Sequence, residues 1–192
     1  MKTEAFAMFD TPIGRCAVAW SALGLTGVQL PEADEALTRA RMARRFAPCG
    51  EAEPPPAVRR AITDIVALLG GTPNQPVDLS HIALDMDGVP LFYQRVYAAA
   101  RRVPPGSTVT YGELAQRMGE PRSAQTVGQA LGHNPFAPVV PCHRVLAAGG
   151  RAGGFSANGG IETKLRMLLA ERAQFDGPGL FDDAPRILPR TD

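Results

Sequence analysis

The most reactive chemistry in the chain lies in one stretch, Val139-Val140-Pro141-Cys142-His143-Arg144-Val145. A thiol attacks carbon as the thiolate, and an adjacent imidazole and guanidinium can lower its pKa toward neutral. Two prolines around a β-branched pair, Pro138 to Pro141, make a rigid apolar approach that keeps the sulfur from drifting. Downstream, Gly149 to Gly160 is glycine-rich. It lacks the Lys-Ser/Thr pair and the strand-to-helix spacing of a phosphate loop, and reads instead as a flexible wall over a pocket. A bare Cys-His pair is more often a structural cysteine beside a satisfied histidine, so the surrounding elements must decide.

Those elements read as short helices. Pro90–Arg102 places Phe92, Val96, Tyr97 and Ala100 on one face, and Pro104-Pro105-Gly106 ends it. Thr110 with Glu113 three residues on is a capping box, and starts a helix to about Met118. Ser123 is expected to cap a second helix, Ala124 to Gly132. Two short helices with a tight turn fit a helix-turn-helix or an ordinary helical hairpin. The second helix is built from small residues, Ala124, Gly128, Ala130 and Gly132, with Gln125, Thr126 and Gln129 as neutral donors. Such a surface can lie close to a nucleic-acid backbone, and equally permits tight helix packing. His133-Asn134-Pro135 is a stiff polar turn suited to a hinge. A last helix, Glu162–Arg172, is expected to turn Leu165, Leu168 and Leu169 inward, and the tail from Phe175 to be loosely held.

The first half alternates instead. Glu4–Phe9, Arg15–Trp20 and Gly27–Leu30 read as an antiparallel meander, with Cys16 a small core residue. Glu32–Phe46 is a helix candidate with Leu37, Met42 and Phe46 inward and Arg39, Arg41, Arg44 and Arg45 on a solvated face. Ala57–Leu69 is a second helix, stopped by Gly70-Gly71. Val77–Met86 alternates partially and could be extended, and lone His81 and Cys49 read as inert. The break between halves falls near Asp85–Pro90, giving expected units 1–88 and 89–174 and a tail 175–192.

Composition bounds the partners. The 192 residues carry a net charge of +1, so there is no global basic field, though a local basic face suffices for nucleic acid. Three widely spaced cysteines argue against a disulfide framework and fit a reducing compartment. There is no CxxC or HxxxH, so no metal site is expected. No signal-peptide pattern and no membrane-length apolar run appears, and the expected home is the cytoplasm, on the nucleoid in a bacterium.

From about Pro90 to Glu171 the chain resembles the O6-alkylguanine-DNA alkyltransferases (methylated-DNA–protein-cysteine methyltransferases). The resemblance rests on Pro-Pro-Gly, Thr110-Tyr111-Gly112-Glu113-Leu114-Ala115, Val127-Gly128, Asn134-Pro135, Pro141-Cys142-His143-Arg144-Val145, the glycine loop and the Lys-plus-leucines helix. In the N-terminal half the best match is Thr11-Pro12-Ile13-Gly14. It implies an α+β chain: a small antiparallel-sheet-plus-helix (RNase H-like) domain, then a mostly helical domain with a helix-turn-helix and the active-site cysteine.

The activity implied is suicidal DNA repair. An O6-alkylguanine, and by the same chemistry O4-alkylthymine, is flipped out of duplex DNA bound from the minor groove. Cys142 takes the alkyl group once and irreversibly, without a cofactor, in a monomer. His143 would deprotonate the thiol through a water, and Glu171 would orient His143. Tyr111 would bond the guanine at N3 and help neutralise its leaving anion. Val145 would offer its carbonyl to the exocyclic amine, Ser156 its N–H to O6, and Phe155 would wall the alkyl pocket. Asn134 matches the hinge. Arg122, Ser123, Ala124, Gln125, Thr126, Gly128 and Gln129 would form the DNA-binding surface. The chain departs from the family at Gln125, where an arginine finger usually fills the gap left by the flipped base. Two other readings stay open: a protein that recognises alkylated bases without repairing them, and a cysteine hydrolase that turns over.

Overall fold

The computed structural model describes residues 3–71 and 77–173, so the expected tail 175–192 lies outside the described residues. Three strands, β1 (Ala5–Thr11), β2 (Gly14–Ser21) and β3 (Gly24–Gln29), form an antiparallel sheet in the order β1-β2-β3. The turn residues between strands fix the register, with Thr11 opposite Gly14 and Ser21 opposite Gly24. Central β2 is buried on both faces. One face sends Cys16, Val18 and Trp20 against α2 (Pro56–Gly70). The other sends Ala17 and Ala19 against Met42 and Phe46 of α1 (Glu35–Arg45) and its C-cap.

The sequence misplaces two features here. Leu37 is about half exposed and Thr38 is buried instead, because the Thr38 hydroxyl bridges the Asp34 carbonyl and the Glu32 N–H. The arginine face of α1 carries ion pairs, Arg39 to Glu35 and Glu51 and Arg41 to Glu32, as a solvated face does. Val77–Met86 is not a strand. Turns occupy it, and only Leu84 bridges the sheet edge, at Leu25.

The second half packs α3 (Leu91–Ala100), α4 (Tyr111–Arg117) and α5 (Ala124–Gly132) around Val96, Tyr97, Leu114, Val127, Ala130 and Phe136. The capping box forms in full: Thr110 Oγ1 accepts from Glu113 N–H at 3.2 Å, and Glu113 Oε2 accepts from Thr110 N–H at 2.6 Å. Ser123 sits at the N-cap of α5 without capping it, since its hydroxyl donates to the Glu120 carbonyl at 2.7 Å. Two-residue strands β4 (Val109–Thr110) and β5 (Val145–Leu146) pair in parallel and tie the start of α4 to the end of the Cys142 turn. Helix α6 (Gly160–Ala170) closes the chain's described part. Leu165 and Leu168 turn inward as expected, but Leu169 is about half exposed, and Lys164 and Met167 take the buried positions. The halves are in contact: Val28 N–H donates to the Pro135 carbonyl, and Val139 and Met167 join the core under the sheet.

Candidate functional site

Cys142 begins a single 3-10 turn, Cys142–Arg144, whose three residues are all buried. The rigid approach is held by Asn134. Its side-chain amide donates to the Val140 carbonyl at 2.8 Å, and its side-chain carbonyl accepts from Phe136 N–H at 2.9 Å. The thiol opens onto a cleft of about 330 Å³ lined by Tyr111, Gly128, Leu131, Gly132, Gly154, Phe155 and Ser156. Tyr111, the first residue of α4, reaches this cleft because β4 pairs with β5. Gly128 of α5 faces the Tyr111 ring, which a Cβ there would touch at an ordinary contact distance of 3.8 Å.

Behind the thiol lies a buried polar network. His143 Nε2 is 2.9 Å from Glu171 Oε1, which fixes Nε2 as the protonated nitrogen. His143 Nδ1 is then an acceptor; it is buried and takes no hydrogen bond from the protein. Arg144 grips the same carboxylate as a fork, Nε to Oε2 at 2.9 Å and Nη2 to Oε1 at 2.7 Å, while Nη1 donates to the Val103 carbonyl at 2.6 Å. Gly106 N–H adds a bond to Glu171 Oε2 at 3.3 Å. Gly106 has φ of +76°, and a Cβ there would lie 3.1 Å from the Glu171 carbonyl oxygen. The turn after α3 therefore needs glycine to seat Glu171.

The electrostatics correct one expectation. Arg144 is spent on Glu171 and does not act on the thiol. Burial pushes the Cys142 thiol up, and what works against burial is the Asn134 side chain, the Lys164 ammonium and the backbone N–H groups of Cys142 and His143. Burial lowers the pKa of His143 despite Glu171, so the imidazole rests neutral and basic at Nδ1. Burial also raises Glu171, but the His143 imidazole and the Arg144 guanidinium outweigh it and hold the carboxyl at about 2. Tyr111 is pushed up by burial and by the neighbouring thiolate charge.

The remaining expected residues fall in two groups. Arg122, just before α5, and Gln125, Thr126 and Gln129 on it are exposed, while Ser123, Ala124 and Gly128 are half-buried, with Gly128 lining the cleft. Val145 is buried, and its carbonyl accepts from Lys164 Nζ at 2.7 Å. Arg144 as the partner of Glu171, Gly106 and Lys164 are the site residues the sequence reading passes over. Lys164 and Glu171 stand seven apart, hence on one face of a helix with Leu168, and that spacing was a usable signal. Among the described residues no group of His, Cys, Asp and Glu could hold a metal ion, and no helix is long and apolar enough to cross a membrane.

Fold and site together define an α+β protein with a buried cysteine on a cleft, a hydrogen-bonded His-Glu pair next to it in the chain, and an exposed polar helix alongside. Residues 91–173 match the family model described as 6-O-methylguanine DNA methyltransferase, DNA binding domain. The chain is 38% identical to a methylated-DNA–protein-cysteine methyltransferase of Mycolicibacterium paratuberculosis over 163 residues, 85% of this chain and 89% of that one. It is 34% identical to one from Methanothermobacter thermautotrophicus, over 86% of this chain and 84% of the relative. Among solved structures it resembles Mycobacterium tuberculosis OGT in complex with DNA, with a TM-score of 0.68 at 32% identity, covering 88% of this chain and 92% of that one. The chain belongs to the methylated-DNA–protein-cysteine methyltransferase family.

Proposed function

We propose that this protein repairs O6-alkylguanine, and by the same chemistry O4-alkylthymine, in duplex DNA by moving the alkyl group once and irreversibly onto Cys142. The observation that carries the reading is the Cys142 thiol on the floor of the cleft, with Tyr111 at its side and the His143–Glu171 pair behind it. His143 Nδ1, basic and without a protein partner, takes the thiol proton through a water. The sulfur attacks the alkyl carbon in line, the S–C bond forms as the C–O6 bond breaks, and the guanine leaves as its anion. Tyr111 gives that anion a proton at N3. Glu171 holds His143 in the right tautomer and stabilises the imidazolium, as the acid of a triad does.

The cleft of about 330 Å³ accommodates a single base, which supports an extrahelical target. Ser156 N–H and the Val145 carbonyl would hold O6 and the exocyclic amine, with Phe155 walling the alkyl group. Helices α4 and α5 act as a helix-turn-helix. Arg122, Ser123, Ala124, Gln125, Thr126, Gly128 and Gln129 meet the minor groove, and Asn134 serves as the hinge. The units divide near residue 88 into an RNase H-like N-terminal domain and the alkyl-acceptor domain, and the protein works as a monomer in the cytoplasm.

One observation favours a second reading. Gln125 is exposed and uncharged where the family usually inserts an arginine. A poorer finger holds the flipped state less well, so recognition could persist with impaired repair. Mixing limiting protein with excess O6-methylguanine duplex separates the readings. One guanine restored per protein supports repair. Tight binding without restoration supports the recognition-only reading, and continuing turnover supports a hydrolase.

A further inference from the structure

The buried charges behind the cleft do not cancel. Arg144 and Glu171 neutralise each other through the fork. His143 rests neutral, because burial lowers its pKa. That leaves Lys164, fully buried in the middle of α6. A buried lysine with no anion is costly, and most such residues have a carboxylate partner. Among the described residues Lys164 pairs with no carboxylate. Its one described hydrogen bond is to the Val145 carbonyl at 2.7 Å. The two tyrosines near the thiol supply no negative charge, since burial raises both Tyr97 and Tyr111, and the Tyr97 hydroxyl donates to the Ala130 carbonyl. At the end of α6 the Glu171 carboxylate is already taken by the Arg144 fork and the His143 imidazole, which leaves the Cys142 sulfur as the anion available to Lys164.

We infer that Lys164 is the counter-cation of the Cys142 thiolate, a positioning residue anchored by the Val145 carbonyl. It rests on Cys142 being the alkyl acceptor, and adds to the His143 relay the charge that makes the thiolate affordable in a buried site. The coupling is visible from both sides: the ammonium favours the thiolate, and the thiolate favours the ammonium against the burial that lowers it, the balance leaving Lys164 at about 8. The same lysine pins the carbonyl proposed to accept the base's exocyclic amine, so one side chain sets both the charge of the nucleophile and the position of a base contact. Alkylation converts the thiolate to a neutral thioether and leaves Lys164 a buried cation without an anion, still bonded to the Val145 carbonyl.

The chain has only two lysines, Lys2 and Lys164, so 13Cε-lysine NMR follows Lys164 directly in the full-length protein. In Cys142→Ser, which leaves Lys164 untouched, the Lys164 midpoint should fall by about one unit relative to wild type, since coupled sites shift each other reciprocally. Identical titration curves would overturn the inference. A kinetic arm uses iodoacetamide, which needs no DNA, so its failure is distinct from failure of the repair reading. Lys164→Met should slow carboxamidomethylation of Cys142 about tenfold at pH 7.5 and move its rate–pH midpoint up by about one unit. Lys164→Arg should restore the midpoint, and Arg166→Met, on the exposed face of α6, should leave it unmoved. A Lys164→Met midpoint equal to wild type would make Lys164 a structural residue only.

Discussion

Two cysteines of this chain are buried, and they are chemically opposite. Cys16 lies in the middle strand of the sheet, fully enclosed by the core under α2. Burial pushes its thiol up to about 12, and only the Thr11 hydroxyl works against that. Cys142 is also pushed up by burial, but Asn134, Lys164 and two backbone N–H groups oppose the shift, and the sulfur faces a cleft. Burial alone therefore makes a thiol inert. On the proposed reading, reactivity comes from what surrounds the thiol: a base with a free lone pair, a cation without its own anion, and an open cleft beside the sulfur.

The contrast can be broken from several directions, beginning with the largest effect. Cys142→Ser should lose alkyl transfer by at least about a thousandfold, because an alcohol beside the same base is a far weaker nucleophile toward an alkyl carbon. Cys16→Ala should leave the rate unchanged within about twofold, measured by transfer of a labelled methyl group from duplex DNA. Glu171→Gln should slow transfer by about a hundredfold, since the neutral amide no longer stabilises the imidazolium.

Glu171→Gln also leaves Arg144 buried without its anion, and should cost about 3–5 kcal/mol at neutral pH by urea denaturation. That difference depends on pH with a defined sign. The Glu171 carboxyl lies at about 2 in the folded chain against 4.5 when exposed, so its contribution is fully present above pH 4.5. It is lost as the pH falls from 4.5 toward 2, and the gap between wild type and Glu171→Gln should close over that window.

A smaller effect concerns the opposite face of the site. Tyr111→Phe removes the proton donor while keeping the ring beside Gly128, and should slow transfer about tenfold with little change in duplex affinity. Gln125→Arg should raise duplex affinity or repair rate by a few-fold, with a steeper salt dependence. An unchanged rate would mean that another residue of α5, with Arg122 the nearest cation, holds the DNA open.

The readability of the sequence follows the same division. Local chemistry was legible: the capping box at Thr110 and Glu113, the rigid turn before Cys142, the sheet hairpins and the bounds of α5 all depend on neighbours a few residues apart. Long-range partnerships were not. Arg144 reads as an activator of the adjacent thiol, yet its partner is 27 residues away, because a bidentate carboxylate outcompetes a thiol for a guanidinium. Lys164 is given no role by the sequence beyond membership of a leucine-rich helix, and the packing of α6 against the Cys142 turn accompanies its burial. Ser123 looks like a cap, but the turn before it draws its hydroxyl back to Glu120. The Arg144 and Lys164 discrepancies are places where tertiary contact overrides local preference, whereas at Ser123 one local turn wins over another.

The most direct test of the central claim is the intact mass of the protein after reaction with a duplex carrying O6-methylguanine, followed by peptide mapping. The account predicts one added methyl group per chain, on Cys142, with Cys16 and Cys49 unmodified. Unmodified protein, or a methyl group on either of the other two cysteines, would contradict it.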